Sequence, residues 1–287
     1  MVWKKQLTIW IMMDKNKLKS LRERTRQLFE AKFGDIVFEE VPHRYTIDGI
    51  EYTPVSTIIS QYENEFDTEE RSKAYAEKNG LEQDEVKRSW KWTNKCATIM
   101  GTRAHEFGES YTNLLCGHKE LMCEQNKAQY VEDENWLVPT FPQEFAVKSF
   151  YDELNENLHP IGAEFKLSTK YIEGAKPICG TADILFYYDA PNPKNSGFCI
   201  FDWKTNKELT KDFARNTDLM MKPPFDNMFD EPLSHYYLQF NLYQRMMESI
   251  GLKIIARRLV HLKRDGTYEV HTVPKIDDSI IDQVIMK

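Results

Sequence analysis

The chain has 287 residues and a formal net charge of −7 at pH 7; 41 % of its residues are hydrophobic, 29 % charged and 13 % aromatic. This composition is that of a globular protein and excludes disordered, collagen-like and low-complexity chains. The five cysteines form no CxxC pair, which argues against a disulfide framework and against a structural zinc ribbon. No apolar run approaches the ~20 residues that a membrane span requires, so we expect no membrane partner.

The N-terminal region is predicted to contain a basic helix. Its first apolar stretch, Leu7–Met13, is followed at once by charged residues and lacks a small-residue cleavage site, so we interpret it as mature protein rather than a signal peptide. Residues 1–35 carry nine Lys and Arg against four Asp and Glu. Within them, residues 14–33 have the pattern of an amphipathic helix that ends at Gly34. A solvated surface helix explains this pattern better than a DNA-binding helix.

A β-hairpin and a largely helical region are predicted next. Asp48 and Gly49 lie between alternating residues and form a strong hairpin signal. Residues 55–130 are predicted to be mostly helical, with Gly80 and Gly101 interrupting the helices.

The second half of the chain alternates between helices and strands. A loop over Asp133–Pro142 leads into a helix predicted over residues 143–157. Alternation with period two then predicts five strands: Glu164–Ile172, Ile178–Tyr188, Phe198–Lys204, Ile254–Lys263 and Thr267–Val273. Between the third and fourth strands, residues 210–232 are predicted to be irregular and Leu233–Ser249 to be a helix. From Gly101 onward, the predicted order is therefore helix, three strands, helix, strand.

This order predicts an α/β fold with a mixed central sheet flanked by helices. Residues 1–95 are predicted to form an N-terminal appendage of basic helix, β-hairpin and helices packed on the core, and residues 96–287 to form the core. No Gly/Ser-rich linker marks a boundary between the two parts.

Two acidic residues and a lysine stand within or at the end of otherwise apolar strands. Asp183 lies within the second predicted strand, and Asp202 and Lys204 end the third. Charges at such positions are costly unless they are paired or bind a metal. A hairpin places these strands side by side, and residues two apart share a face, so both carboxylates can converge on one point. Such a group can hold a divalent cation for phosphodiester hydrolysis, and a buried salt bridge is the alternative interpretation.

Two helices carry side chains that could complete this group. His105 follows Gly101 by four residues and precedes Glu109 by four, so on a helix His105 and Glu109 share a face. His105 could be a metal ligand, although a structural histidine is the commoner case. Gln239 and Tyr243 form a second i, i+4 pair, which could bond to a phosphate or stack on a base, or belong to an ordinary amphipathic helix.

This series of motifs resembles the PD-(D/E)XK nuclease superfamily, in its RecB-like branch. The motifs stand in the order of that family: Gly101…His105, Glu164, Gly180…Asp183, Asp202…Lys204 and Gln239…Tyr243. They span residues 101–243, about half of the chain, and the predicted αβββαβ order is also the core of the family. More loosely, residues 53–59 and Trp90, ahead of the first motif, resemble phage-encoded and mitochondrial genome maintenance exonucleases.

The resemblance implies a role for each matching residue. Lys204 would position or activate the attacking water and stabilise developing negative charge. Glu164 would lie at the edge of the site as a further catalytic carboxylate. The metal ligands would be His105, Asp183, Asp202 and the backbone carbonyl of Trp203. The substrate-binding residues would be Gln239, Tyr243, Arg103 and Thr205.

The cofactor implied by the resemblance is Mg²⁺ or Mn²⁺. Oxygen ligands suit Mg²⁺, and a nitrogen from His105 shifts the preference towards Mn²⁺. Several relatives bind an iron–sulfur cluster through one Cys before the core and three near the C-terminus. No Cys follows Cys199, so we expect no iron–sulfur cluster. There is no Walker A motif either, so a helicase would have to be a separate partner protein.

The substrate implied by the resemblance is DNA, single-stranded or with free ends, and the reaction is exonucleolytic hydrolysis. The mixture of basic and aromatic residues between Arg71 and Trp92 could bind such a strand, or consist of core and solvated residues. The alternatives are a structure-specific endonuclease for flapped or branched DNA, and a non-catalytic nucleic-acid-binding or assembly module. Replication, recombination, repair and phage DNA processing all use such a site. The acidic, Cys-poor chain is expected in the cytoplasm of a bacterium or a phage-infected cell.

Overall fold

A mixed sheet with helices on both faces forms the centre of the protein, which is described by a computed structural model. The structure describes residues 14–286 apart from residues 40, 42 and 43, so the stretch Leu7–Met13 lies outside the described residues. The helices are α1 (Lys15–Phe33), α2 (Val55–Ser60), α3 (Thr68–Asn79), α4 (Gln83–Cys116), α5 (Glu124–Lys127), α6 (Pro142–Asp152), α7 (Asp212–Asn216), α8 (Pro232–Ser249) and α9 (Asp278–Ile285). The strands are β1 (Val37–Glu39), β2 (Arg44–Ile47), β3 (Ile50–Pro54), β4 (Tyr130–Val131), β5 (Trp136–Leu137), β6 (Leu158–Ser168), β7 (Ile178–Tyr188), β8 (Gly197–Lys204), β9 (Ile254–Leu262) and β10 (Tyr268–Thr272).

The central sheet has the strand order β1-β2-β3-β7-β8-β9-β10, and β6 also pairs with β7. Strands β6, β7 and β8 form an antiparallel meander, β9 lies parallel to β8, and β10 returns antiparallel to β9. A parallel pair needs a crossover connection, which α8 provides between β8 and β9. The prediction of an α/β fold with a mixed central sheet flanked by helices is confirmed.

Hydrophobic side chains form one cluster on each face of the sheet. On one face, Phe107 of α4 and Phe150 of α6 pack with Phe186, Phe201 and Trp203 in a cluster rich in aromatic rings. On the other face, α8 packs with α1, α2 and α9 over a larger and more aliphatic cluster. Strands β7 and β8 are therefore buried on both faces, which explains why they contain long apolar runs.

The basic N-terminal helix is confirmed as α1, with Asp14 as its N-cap and Gly34 at its end. The prediction of a solvated surface helix is correct for only one face of α1. Thr25, Phe29 and Phe33 are buried because they recur every four residues and form one stripe against β6.

The predicted hairpin is also confirmed, as β2 and β3. Asp48 and Gly49 have φ values of 51° and 76°, the positive φ pair that a tight two-residue hairpin turn requires. Strand β3 then pairs in parallel with β7, through Thr53 opposite Ile178. The hairpin therefore extends the central sheet.

Gly101 does not interrupt a helix, contrary to the prediction, because α4 runs continuously from Gln83 to Cys116. Gly80 does end a helix, since it caps α3 in the left-handed conformation. Glycine within α4 has a packing reason. A Cβ on Gly108 would lie 2.3 Å from Trp203 Nε1, so α4 approaches the sheet closely at this residue.

Strand β7 has the predicted bounds, and β8, β9 and β10 begin and end within one residue of theirs. Strand β6 begins at Leu158, well before the predicted start, and α6 accordingly ends at Asp152. The irregular segment contains the short helix α7. Helix α9 was not predicted. It buries Ile281, Val284 and Ile285 in the larger, more aliphatic cluster.

The expected division between residues 95 and 96 falls inside α4, which is continuous there. On its N-terminal side, α1 packs on β6 and β3 pairs with β7. No helix of the described residues is both long enough and apolar enough to cross a membrane.

Candidate active site

The candidate site lies where β7 and β8 separate. Strand β6 occupies one edge of β7 along almost its whole length. The other edge pairs with β8 over Ile184–Tyr188 and with β3 at Ile178 and Cys179. In the registers of the described strands, Gly180–Asp183 has no partner on this edge, while β8 continues past it to Lys204. A gap therefore opens in the sheet beside Asp183.

The Asp183 carboxylate lies in this gap. Its Oδ2 accepts a hydrogen bond from the backbone N–H of Trp203 at 2.9 Å and lies 3.1 Å from His105 Nδ1 on α4. In extended backbone, the N–H and C=O of one residue point to the same edge, so the Trp203 carbonyl faces the gap as well. The Trp203 side chain does not, because it is 1 % exposed in the aromatic cluster on one face of the sheet.

Asp202 and Lys204 form an ion pair at the end of β8. Asp202 is 1 % exposed, and its Oδ1 lies 2.5 Å from Lys204 Nζ. Its Oδ2 accepts a hydrogen bond from Gln239 Nε2 on α8 at 3.2 Å. Apart from the ion pair, Oδ1 has no hydrogen-bond partner in the described part of the chain. This buried oxygen therefore has unused acceptor capacity, which a cation can use.

Helix α8 brings Gln239 and Tyr243 together, as their spacing predicts. Gln239 Nε2 also donates to the Tyr243 hydroxyl at 3.0 Å. Tyr236, one turn earlier on the same helix, has its ring centroid 4.5 Å from Lys204 Nζ and donates its hydroxyl proton to Asn206 Oδ1 at 2.6 Å. The sequence analysis missed Tyr236, although its position three residues before Gln239 places it on the same helix face.

The charges of the site compensate one another. Burial opposes the imidazolium form of His105, but the Asp183 carboxylate outweighs it and raises the pKa of His105 to about 9. Burial also opposes the carboxylate form of Asp183, yet the His105 charge holds its pKa well below the usual range. Burial lowers the pKa of Lys204, but the carboxylates of Asp202 and Asp183 raise it by more, so the net effect is a rise. Burial and the Asp183 charge raise the pKa of Asp202, so the negative charge of Asp202 is less compensated than that of Asp183.

Glu164 adds a third carboxyl group from β6. It lies between the residues that pair with Ile184 and Ala182, and therefore beside Asp183, with a φ of 54°. A non-glycine residue in this conformation costs about 1–2 kcal/mol, and such strain concentrates at functional sites. Desolvation within the cleft, followed by the Asp183 charge, raises the pKa of Glu164, although solvent in the cleft reaches its side chain.

Two clefts adjoin the gap. The first, of about 410 Å³, is lined by α4 and by Asp183 and Glu164. The second, of about 350 Å³, is lined by α2, β7 and α8, including Gln239 and Tyr243. Glu109 lines the first cleft, where its Oε2 accepts a hydrogen bond from Cys123 Sγ at 3.2 Å. One cleft thus borders the gap on the side of Asp183 and the other on the side of Gln239.

The structure does not bring Arg103 into the site. Its guanidinium donates to Glu144 Oε1 at 2.8 Å and Thr140 Oγ1 at 2.9 Å, and lies 3.7 Å from the ring centroid of Phe141. Residues two apart on a helix do not share a face, so Arg103 points away from His105. These contacts anchor α4 to α6 and to the residues just before it.

Thr205 lies beside the site rather than in it. It lines a separate cleft of about 400 Å³ with Trp92 and Met100. A Cβ on Gly101 would lie 3.2 Å from its Oγ1. Successive residues of an extended chain point to opposite sides, which directs Thr205 away from Lys204.

Comparison with known proteins assigns no family to the chain, since no family model matches it and no curated protein is significantly similar to it. Inference about its function therefore depends on the geometry of the site and the order of its motifs.

Proposed function

We propose that the protein is a metal-dependent deoxyribonuclease that hydrolyses phosphodiester bonds at free ends of DNA, with a preference for single strands. The observation that carries this proposal is the convergence of Asp183, Asp202 and Lys204 at one gap in the sheet, with His105 in contact with Asp183. Buried charges at strand ends lower stability relative to apolar residues. Phosphodiester hydrolysis at a bound cation gives such residues a function.

The donor set fits Mg²⁺ or Mn²⁺. Asp202 Oδ1 is buried without a hydrogen-bond partner among the described residues, and the Asp183 carboxylate and Trp203 carbonyl face the same gap. Oxygen ligands suit Mg²⁺, and the His105 imidazole favours Mn²⁺. A bound ion would supply Lewis-acid charge at the scissile phosphate. Without metal, His105 is protonated and its charge compensates that of Asp183. To bind the ion, His105 would have to lose this proton, and the ion would then compensate the Asp183 charge.

Lys204 is the residue placed to stabilise negative charge on the phosphate. Against the effect of burial, the two carboxylates raise its pKa, so it is an ammonium ion rather than a general base in the metal-free site. Asp202 holds Nζ at 2.5 Å, and Gln239 holds the other Asp202 oxygen at 3.2 Å. Helix α8 therefore keeps the ion pair in position, as a preorganised site requires.

An aromatic cleft near the site offers stacking surfaces to the bases of a single strand, although its lining carries five carboxylates against two cations. The cleft measures about 650 Å³ and adjoins the one beside Gln239, since Glu63 lines both. Arg71 lies 4.8 Å from the ring centroid of Phe213. Bases of a single strand stack on such rings, and guanidinium groups pair with phosphates. The rings that line the cleft are Phe66, Tyr75, Trp90 and Phe213.

The same proposal includes the finer fold assignment. Helix α4, the β6–β7–β8 meander, α8 and β9 follow the chain order expected of a PD-(D/E)XK core. Asp183 lies in the second strand of the meander, and Asp202 and Lys204 lie in the third. We infer a core of this type, extended by the N-terminal hairpin and by the helices that precede β6.

The proposal is tested with end-labelled linear single-stranded DNA and a closed single-stranded circle of the same sequence. Both are incubated with Mg²⁺, Mn²⁺ or EDTA and with wild type, Lys204→Ala or Lys207→Ala. Lys207 is the matched control, because its side chain is 77 % exposed and lies just beyond the site. We expect wild type and Lys207→Ala to degrade the linear strand only, and EDTA or Lys204→Ala to abolish the reaction.

Each other outcome contradicts the proposal in a defined way. Cleavage of the circle would favour an endonuclease for flapped or branched DNA. Absence of cleavage by a correctly folded wild type would favour a non-catalytic binding or assembly module. Equal activity of Lys204→Ala and wild type would exclude the ion pair as part of the catalytic site.

A further inference from the structure

A second group of metal-ligand side chains lies on the β9–β10 hairpin. His261 on β9 is directly opposite Glu269 on β10, and His271 follows Glu269 by two residues. Opposite residues of an antiparallel pair share a face, as do residues two apart on one strand. The hairpin therefore presents two imidazoles and a carboxylate on the same side.

The three side chains are close enough for one ion. One ligand atom from each of His261, Glu269 and His271 lies within 4.8 Å of the other two. Bond lengths of about 2.0–2.1 Å place the ligands of a tetrahedral zinc ion about 3.4 Å apart. Glu269 Oε2, the oxygen that does not pair with Lys263, lies 3.6 Å from His271 Nε2, which is close to this spacing.

The tautomer of His261 leaves a lone pair for a metal. Its Nε2 lies 2.7 Å from the backbone carbonyl oxygen of Asn206, which accepts but cannot donate, so Nε2 carries the proton. The lone pair of the neutral ring is then on Nδ1. A ring N–H bonded to a carbonyl is the usual arrangement behind a metal-binding histidine, because it fixes both tautomer and orientation.

His271 has a buried nitrogen without a partner. Its Nε2 is enclosed by protein and makes no hydrogen bond within the described residues, although Glu269 Oε2 lies 3.6 Å away. The other Glu269 oxygen, Oε1, pairs with Lys263, and this ion pair orients the carboxylate.

We propose that His261, Glu269 and His271 form a binding site for a zinc-class divalent cation, separate from the candidate active site. Two imidazoles and one carboxylate are a ligand set that zinc accepts with water as the fourth ligand, and that Mg²⁺ does not prefer. The site lies one strand away from the ion pair, because His261 is opposite Lys204 in the parallel β8–β9 register. It is connected to that pair through Asn206 and Tyr236. An occupied site would therefore tie the edge strand β10 to the chain segment that follows Lys204.

Zn²⁺ binding to the full chain tests this proposal without any measurement of activity. The metal-stripped protein is dialysed against Zn²⁺ in the presence of excess Mg²⁺, and bound zinc is counted for wild type, His271→Ala, Glu269→Gln and Asp183→Asn. We expect the two hairpin variants to bind one equivalent less than wild type, and Asp183→Asn to retain that equivalent. His118→Ala is the matched control, because His118 Nδ1 also lies 3.1 Å from a glutamate, Glu120, but has no second histidine.

Thermal unfolding separates loss of binding from loss of folding. Without zinc, the hairpin variants should unfold near the wild-type temperature, because His271 and Glu269 are partly exposed on an edge strand. With Zn²⁺ at about 100 times its Kd, wild type and His118→Ala should gain about 5 °C or more and the hairpin variants should not. Zinc binding by His271→Ala equal to that of wild type, or loss of all bound zinc in Asp183→Asn, would overturn the proposal.

Discussion

Strand β8 is buried on both faces, and its two faces carry opposite chemistry. Phe201 and Trp203 pack into the aromatic cluster, whereas Asp202 and Lys204 form an ion pair at 2.5 Å on the other side. Burial of the rings stabilises the fold by about 25 cal/mol for each Å² of apolar surface. Burial of two ions costs free energy that their attraction recovers only in part. Adjacent residues of β8 thus have different roles, since Trp203 stabilises the fold and Asp202 belongs to the candidate active site. Substitution of Trp203 should mainly lower stability, and substitution of Asp202 should mainly lower activity.

The largest effect is expected for Asp202→Asn. The amide keeps the volume but removes the charge that holds Lys204 and a cation, so metal-dependent DNA cleavage should fall by at least about 10⁴-fold. The free energy of unfolding should fall by less than the loss of about 3–5 kcal/mol typical of a broken buried ion pair, because loss of the repulsion from Asp183 offsets part of that cost. Single-turnover cleavage and chemical unfolding measure the two effects. Glu124→Gln, with a side chain 85 % exposed, is the control and should behave as wild type in both.

At the next residue, Trp203, a large loss of stability is expected. Trp203→Ala removes a ring that is 1 % exposed and contacts Phe150 with centroids 5.2 Å apart. The resulting cavity should lower the free energy of unfolding by about 3–5 kcal/mol, measured by guanidinium titration in EDTA. Trp92→Ala, at a side chain 66 % exposed, should change it by less than about 0.5 kcal/mol. A loss at Trp203 as small as that at Trp92 would mean that the aromatic face is not the main support of the sheet.

A smaller effect should appear in the pH dependence of the charged face. The Asp183 carboxylate, against burial, raises the pKa of His105 to about 9, above its ordinary value of about 6.5. A raised pKa adds stability that is complete below about pH 6.5 and is lost as the pH rises through about 9. Metal-free wild type should lose about 2 kcal/mol over this range, and His105→Gln should give a flatter curve. Parallel curves for the two proteins would exclude a protonated His105.

The smallest effect is expected for Arg103→Met. Glu144 would lose a partner at 2.8 Å but keep the backbone N–H of Thr140 at 2.6 Å, so unfolding free energy should fall by only about 1–2 kcal/mol. DNA cleavage at a temperature where both proteins are folded should stay within about twofold of wild type. A large drop in cleavage with unchanged stability would instead assign Arg103 to the substrate path, as the sequence analysis expected.

Elements with a local signal were predicted well. The hairpin turn at Asp48 and Gly49 needs positive φ at both residues, and such residue pairs are recognisable in any sequence. Strand β7 is an apolar run bounded by turn residues, and such a run predicts a buried strand. Gly101 misled the prediction, because a glycine that ends a helix and one that lets a helix approach a sheet have the same local appearance. Helix α9 was not predicted, because its apolar side chains are buried against residues of the aliphatic cluster that are distant in the chain.

The same division applies to the candidate site. Strand periodicity placed Asp202 and Lys204 on one face, and helix periodicity placed Gln239 with Tyr243, because both depend only on spacing along the chain. Spacing could not show that Tyr236 lies against Lys204, or that Arg103 bonds to Glu144.

The sequence by itself determined the α/β class, most strand bounds and the residue types of the site, since hydrophobic period and turn chemistry are properties of neighbours in the chain. Only the tertiary structure decided that β7 and β8 separate beside Asp183, that His105 approaches it to 3.1 Å, and that His261 and His271 meet across the edge hairpin. These arrangements follow from strand register and helix packing. Register and packing minimise the free energy of the whole chain, so no local pattern encodes them.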